Sequence, residues 1–271
     1  MNLTICIPSR AELSPETKIA LANNLGSIAH EIIAVVGKPV VEARNELARR
    51  ALERGAEFTL WLDDDAYPEP GSIERLLATM NERPAIEMLA AFACDRRPFC
   101  SPNAFRLHND RYVALVERST PAPFALPAWA PRYSIGEIVP IDACAFHAVL
   151  MRTALLERVG PDPFALPEGT EHPEDFQFCR RARASGALLA VDTGAPVAHV
   201  ETESGLAFLP YKPPGRIVAN RFAIVPESRS AAEIAAPWRE RDIRAGRSYG
   251  AGLEAIFRSA HIRKQGKPHN A

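Results

Sequence analysis

Three consecutive carboxylates, Asp63, Asp64 and Asp65, follow directly on the apolar run Phe58-Thr59-Leu60-Trp61-Leu62. Adjacent carboxylates repel one another, so such a triplet costs stability unless a cation offsets the charge. A solvated acidic turn is the ordinary reading. Here a buried strand aims the triplet at the edge of a sheet where ligands bind, and Pro68 and Pro70 fix the exit, which favours a cation site. Alternation along the strand sends Asp63 and Asp65 to one side and Asp64 to the other, so the first and third are expected to share one metal–phosphate site. A second acidic pair, Glu174-Asp175, opens a helical run, where the helix dipole favours negative charge. His199 follows a short apolar run and a Gly-Ala-Pro turn. Acids in a first helical turn are commonly caps, and a lone histidine is ordinarily a surface or core residue. The order and spacing of the three features say more than any one of them.

The elements that must position these residues are legible from periodicity. Residues 3–8 read as a buried strand, and Ser14-Pro15-Glu16 supplies a cap and a first-turn proline for a helix carrying Ile19, Leu21, Leu25 and Ile28. Residues 31–36 form a second strand that ends at Gly37-Lys38-Pro39, and Val41, Leu47, Ala48, Ala51 and Leu52 recur at helical spacing after it. Phe58–Leu62 is the third strand, a helix from about Ser72 follows, and residues 86–93 form a further strand. Alternating strands and helices imply parallel strands joined by right-handed crossovers. Residues 95–135 hold six prolines and read as a long loop or an excursion around a site. Order returns with a strand at 138–141, helices at 153–159 and about 173–184, the latter closed by Gly186, and a strand at 188–191. The expected architecture is an α/β domain over residues 1–204, an open, mostly parallel sheet flanked by helices. A C-terminal extension over 205–271 follows.

Composition narrows the class. The chain has 271 residues, 47% hydrophobic and 24% charged, with 32 Lys and Arg against 33 Asp and Glu, which excludes a disordered chain and suits a globular one. No apolar run reaches the roughly 20 residues needed to span a bilayer. The N-terminus lacks a basic region ahead of its apolar stretch and reads as a strand and not a signal peptide, so a cytoplasmic protein is expected. Five cysteines without a Cys-x-x-Cys pair argue against a disulfide framework or a structural zinc site. Charge is uneven: from Trp238 onward eight Lys and Arg face three acids.

The run Arg44-Asn45, then Trp61-Leu62-Asp63-Asp64-Asp65-Ala66-Tyr67-Pro68-Glu69-Pro70, then Glu174-Asp175-Phe176-Gln177-Phe178-Cys179, Gly186 and His199 resembles the GT-A-fold nucleotide-sugar glycosyltransferases, close to glycosyltransferase family 2. The resemblance covers roughly residues 3–200. It implies an enzyme of hexosyltransferase type that uses a nucleoside-diphosphate sugar, a UDP-sugar first among them. In that family the DxD carboxylates hold a divalent metal on the donor diphosphate, which assigns Asp65 as direct ligand and Asp63 to the ribose or a metal-bound water. His199 then completes the metal shell, and Asp175 acts as base toward the acceptor, with Glu174 capping the helix or positioning the acceptor. The donor side comprises Pro8, Ser9, Arg10, Arg44, Asp63 and Asp64, with Asp64 turned away from the metal, and His147 as a sugar contact. The implied cofactor is Mn²⁺ or Mg²⁺, with imidazole tipping the preference toward manganese. One departure stands out: where the family usually places a base-contacting Asp after the second strand, this chain has Val35-Val36-Gly37-Lys38, which leaves the nucleotide open.

Physical reasoning supports those roles independently. A nucleoside diphosphate leaves poorly until its charge is neutralised, and a hydroxyl acceptor needs its proton removed as it attacks. Three other classes fit less well. A haloacid-dehalogenase-type phosphatase starts from a DxD on its first strand followed by Thr or Val, whereas here the triplet is on the third strand and Tyr67 takes that place. A nucleotidyltransferase needs a glycine-rich, basic loop after the first strand, and Pro8-Ser9-Arg10-Ala11-Glu12 has no glycine. A non-catalytic nucleotide-sugar binder should have lost a ligand or the base. The acceptor is not legible. The basic tail could track the phosphates of a nucleic acid or lipid carrier, but its acids favour a solvated helix.

Overall fold

The computed structural model describes residues 2–13, 15–26, 28–94, 102–118, 131–201, 205–210, 212–218 and 223–226. The basic tail from Trp238 lies outside them. The first strand, β1 (Leu3–Ser9), is buried along its whole length, because β2 (His30–Val36) and β3 (Phe58–Leu62) pair with it in parallel on either side. That is why it reads as a continuous apolar run and not as an alternating one. Helix α1 (Pro15–Leu25) leads from β1 to β2, and α2 (Val40–Arg54) leads from β2 to β3. Gly55 ends α2 in the left-handed conformation (φ 63°) and returns its N–H to the Leu52 carbonyl, a closure that a residue with a Cβ makes at a cost.

Beyond β3 come β4 (Ala66–Pro68), α3 (Ser72–Glu82) and β5 (Ile86–Phe92). β5 does not pair with β3. Between them lies β12 (Ala148–Arg152), antiparallel to both, and on the far side of β5 lies β13 (Leu188–Glu201). The core order is therefore β2-β1-β3-β12-β5-β13, in which β12 alone runs against the others, giving a mixed α/β architecture with a mostly parallel central sheet. Helices α2, α4 (Ala154–Val159) and α5 (Glu174–Ala184) cover one face over a core built on Trp61, Phe146, Phe164 and Phe178. Helices α1 and α3 cover the other, over strand residues such as Ile5, Ile7, Leu60 and Leu62.

Three expectations change. First, Ala148–Arg152 is a central strand that periodicity does not reveal, because its apolar residues run on into the helical segment after Thr153, and a buried strand cannot be told from a buried helix by pattern alone. Second, the stretch 95–135 is not all loop. It contains the hairpin β6 (Ala104–His108) and β7 (Arg111–Ala114), whose turn uses Asn109 and Asp110 at positive φ, and the short parallel pair β8 (Val116–Glu117) and β9 (Arg132–Tyr133). Strand β11 (Ala143–Cys144) pairs with β6, and β10 (Ile138–Pro140) pairs with β13.

Third, the last core strand does not stop at Val191. β13 continues to Glu201 through a bulge between Asp192 and Pro196, so the expected Gly-Ala-Pro turn is an irregularity within one long strand. The fully buried Asp192 carboxylate holds the bulge together: it accepts from Arg75 Nε (2.8 and 3.0 Å), Thr79 Oγ1 (3.3 Å) and the Gly194 N–H (2.9 Å). A Cβ at Gly194 would lie 2.6 Å from the Arg75 guanidinium, so a larger residue there would push that side chain off Asp192. Past the bulge, β13 pairs with β4 and with β14 (Leu206–Leu209), and β15 (Lys212–Val218) and β16 (Ala223–Pro226) add an antiparallel meander. The expected boundary at 205 thus falls between two paired strands, and β14 is buried along its length.

Candidate active site

Residues Phe58 to Leu62 alternate between the two faces of the sheet, and the alternation reaches past the end of β3. Asp63 emerges on the α2/α5 face and Asp64 on the α1 face. The chain then turns, with the Ala66 N–H donating to the Asp63 carbonyl at 3.1 Å, so the alternation rule ends before Asp65. Asp63 and Asp65 accordingly meet at His147 and differ in their other partners. Asp63 Oδ1 accepts from Arg44 Nη2 at 2.7 Å, and its Oδ2 lies 3.4 Å from His147 Nδ1. Asp65 instead faces His199, with Nε2 at 3.6 Å, and Arg10, with Nη2 at 3.3 Å. Asp64 turns to the end of β1, where it accepts from the Arg10 backbone N–H (2.9 Å), the Arg10 guanidinium (3.1 Å) and the Ser9 hydroxyl (3.2 Å). Pro8, buried in β1 opposite Val35, sets the place of that pair.

Arg44 is not at the surface where a nucleotide would touch it. Only 3% exposed, it lies 5.2 Å over the Phe146 ring and joins two segments that are far apart in sequence. Nη2 binds Asp63, and Nη1 donates to Glu174 Oε1 at 2.6 Å. The ordinary alternative, pairing with Glu42 or Glu46 on its own helix, is not what the geometry shows; Glu46 is taken by Lys38 and Arg50. Its Nε finds no hydrogen-bond partner, a cost of about 1–3 kcal/mol that the two charge-assisted bonds must offset. The neighbouring Asn45 accepts from the Phe164 N–H (2.9 Å), and Arg181 donates to the carbonyls of Pro163 and Ala165, so the loop ahead of α5 is fixed to α2 and α5 alike.

The field around Arg44 separates two carboxyls. Burial by itself would raise Asp63, but the Arg44 charge and the contact with His147 outweigh it and hold the carboxyl well below the usual carboxylate range. Asp175 behaves in the opposite way. It is 8% exposed and accepts a hydrogen bond from the Phe176 N–H, yet burial, reinforced by Glu174 and Asp63, pushes it up to about 7 against the pull of Arg44. A carboxyl in that range is poised to take up or release a proton near neutrality.

A third feature is the pair of imidazoles. His147 and His199 lie with ring centroids 4.0 Å apart, both buried, one from the connection leading into β12 and the other from the second half of β13. His199 Nδ1 donates to the Cys94 carbonyl at 3.0 Å, because a carbonyl only accepts, and this orients Nε2 toward Asp65. Burial and the neighbouring His199 push His147 below its ordinary value, so it stays neutral, and Asn103 holds its Nε2 at 2.6 Å. Nδ1 of His147 is buried without a hydrogen-bond partner. One ligand atom from each of Asp65, His147 and His199 falls within 4.8 Å of the other two. Two imidazoles, one of them oriented by a backbone carbonyl, and a carboxylate are groups that could hold a divalent cation.

Among the described residues, then, the structure brings together Arg44, Asp63, Asp65, His147, Glu174, Asp175 and His199, with Ser9, Arg10 and Asp64 adjoining. His147, expected as a sugar contact, sits with the candidate metal ligands, whereas Asp63 is engaged with Arg44. Asn103 and the Cys94 carbonyl carried no signal in the sequence, since the first meets His147 and the second His199 only when β5 lies between β12 and β13.

No protein-family model and no curated protein sequence matches the chain. Among solved structures, A197 from STIV superposes with a TM-score of 0.54 at 12% identity, over 84% of this chain and 96% of that one. TarS 1-349 from S. aureus in complex with UDP gives a TM-score of 0.43 at 14% identity, over 71% of this chain and 58% of that one. Its complex with UDP-GlcNAc gives 0.41 at 15%, over 71% and 56%. Likeness at 12% identity establishes a fold and leaves the chemistry to the site itself; the TarS overlaps are too partial to bear on function.

Two outcomes follow from the charges around Arg44. Replacing Arg44 with Met keeps length but leaves Asp63 and Glu174 without their cation, and unfolding in urea should show a loss of about 3 kcal/mol or more. Adding Asp63→Asn should recover part of it. For Asp175 the folded value lies above the unfolded one of about 4, so the unfolded chain releases its proton first as pH rises. Between about pH 4 and 7, stability relative to Asp175→Asn should therefore fall with rising pH, by at most about 1.4 kcal/mol per unit. A pH-independent difference between the two would remove the desolvated-acid assignment.

Proposed function

We propose that this chain is a glycosyltransferase that moves a sugar, of hexosyl type, from a nucleoside-diphosphate sugar to a hydroxyl acceptor, with inversion. The observation that supports it best is the junction of the Asp65–His147–His199 cluster with the desolvated Asp175 through Asp63, Arg44 and Glu174. The motif order in the sequence points the same way. A UDP-sugar is the first donor to test, as the resemblance implies, and the departure at Val35 to Lys38 keeps GDP- and dTDP-sugars in the comparison.

Asp65, His147 and His199 would hold Mn²⁺ or Mg²⁺. When bound, the cation neutralises the charge that develops on the nucleoside diphosphate as it leaves. The chain's own residues do the rest. Ser9, Arg10 and Asp64 form a polar rim at the end of β1 against which the nucleotide can be oriented. Arg44 fixes the distance between the strand end and the start of α5 from below. Asp175 accepts the acceptor's proton at a carboxylate oxygen as that hydroxyl attacks, and its raised value makes it a stronger base than an ordinary carboxylate. A base on the acceptor side suits a single displacement, hence inversion. Glu174, bound to Arg44, positions the helix start and takes no proton.

Metal-dependent hydrolysis of UDP-, GDP- and dTDP-sugars, with and without EDTA, tests the reading directly; turnover undiminished in excess EDTA overturns the metal assignment. In manganese titrations, His147→Ala and His199→Ala should both weaken metal affinity, and Asp63→Ala should weaken it less. The base assignment has its own readout. Asp175→Asn should keep donor binding while transfer falls roughly 10²–10⁴-fold, and the wild-type rate should climb through about pH 7 along a limb that the Asn variant lacks.

A further inference from the structure

A cavity of about 670 Å³ opens on the α3 side of the sheet, between α3 and the segment Arg132–Pro140. None of its lining belongs to the site built around Arg44. Four arginines from three separate stretches of chain, Arg75, Arg83, Arg118 and Arg132, converge on it, against two acids, Glu82 and Glu137. Two of them are paired within the fold, Arg75 with Asp192 and Arg118 with Glu137, and the other two leave positive charge facing the concavity, where an anion can offset it.

The arginines are not equivalent. Arg75 is a fixed wall: Asp192 grips its Nε from behind, its Nη2 donates to the Gly136 carbonyl at 3.1 Å, and Gly194 lies directly beneath the guanidinium, yet its side chain remains 42% exposed. A guanidinium held in place loses little entropy when it binds, and its planar fork suits the oxygens of a phosphate. Arg118 pairs with Glu137 at 3.4 Å, and Glu137 also accepts from the Ser134 N–H, so that acid is occupied. Arg83 and Arg132 have no ion-pair partner among the described residues. Ile138, packed against the core on this face of the sheet, gives the cavity an apolar element.

We propose that this cavity is a second binding site, for an organic phosphate whose charged end is taken by Arg75, Arg83 and Arg132 and whose body lies against Ile138. The site is independent of the proposed transfer chemistry. Phosphate of this kind comes either from a soluble ester or from a lipid headgroup, and the two are separable. Calorimetric titration of the whole chain with phenyl phosphate, in EDTA so that no cation bridges the probe to Asp65, reads the first. Sedimentation with phosphatidylglycerol vesicles, against phosphatidylcholine vesicles, reads the second. Binding in either arm should weaken about tenfold or more in Arg83→Ala/Arg132→Ala, and should persist in His199→Ala. Circular dichroism should show the double variant folded, since neither side chain has an ion pair to lose among the described residues. Absence of binding in both arms, or undiminished binding by the double variant, would overturn the proposal and leave Arg83 and Arg132 as solvated surface arginines.

Discussion

The Arg44 guanidinium is the constraint on which the site depends. It is a permanent charge taken out of water, and it is tolerable only because two carboxylates meet its two terminal nitrogens and two aromatic rings cover its faces. Those carboxylates come from the end of β3 and the first residue of α5, separated by more than a hundred positions in the chain. Neither element can shift without uncovering a buried charge. The distance between the aspartate-bearing strand end and the acidic helix start is thereby set by electrostatics and not by loop packing alone.

The same arrangement explains why three acids around one arginine do not behave alike. Arg44 gives its hydrogen bonds to Asp63 and Glu174, and Asp175 receives only its long-range field. An acid that is desolvated, next to two ionised neighbours and denied the cation's donors, keeps its proton to higher pH. One buried cation thus holds one carboxyl ionised over the working pH range and leaves another able to exchange a proton, a separation of the kind on which acid–base chemistry relies.

The paired imidazoles depend on a different device. His199 reaches His147 because β13 runs past its bulge to pair with β4, and the bulge exists because Asp192, buried and fully hydrogen-bonded, draws Arg75 and the Gly194 N–H together. The bulge changes the register by which β13 follows β5, so its second half leaves the parallel core and lies beside the aspartate turn. Arg75, on the other side of the same carboxylate, becomes one wall of the arginine-lined cavity. A single buried aspartate therefore shapes both regions.

The sequence by itself determined the strands β1, β2, β3 and β5, the helices between them, the helix that Glu174-Asp175 opens and the presence of an acidic triplet at a strand end. These are signals of local period and of capping, which neighbouring residues set between themselves. Tertiary structure decided what such signals cannot carry. Alternation is a rule for extended chain and lapses at the turn after Leu62, so only the fold shows Asp63 with Arg44 and Asp65 with the histidines. The identity of β12 as the strand between β3 and β5, the reach of β13 to His199 and the roles of His147 and Asn103 all rest on pairings between segments tens of residues apart. Such contacts are chosen by the burial and hydrogen bonding of the whole sheet, and no window of the sequence contains both partners.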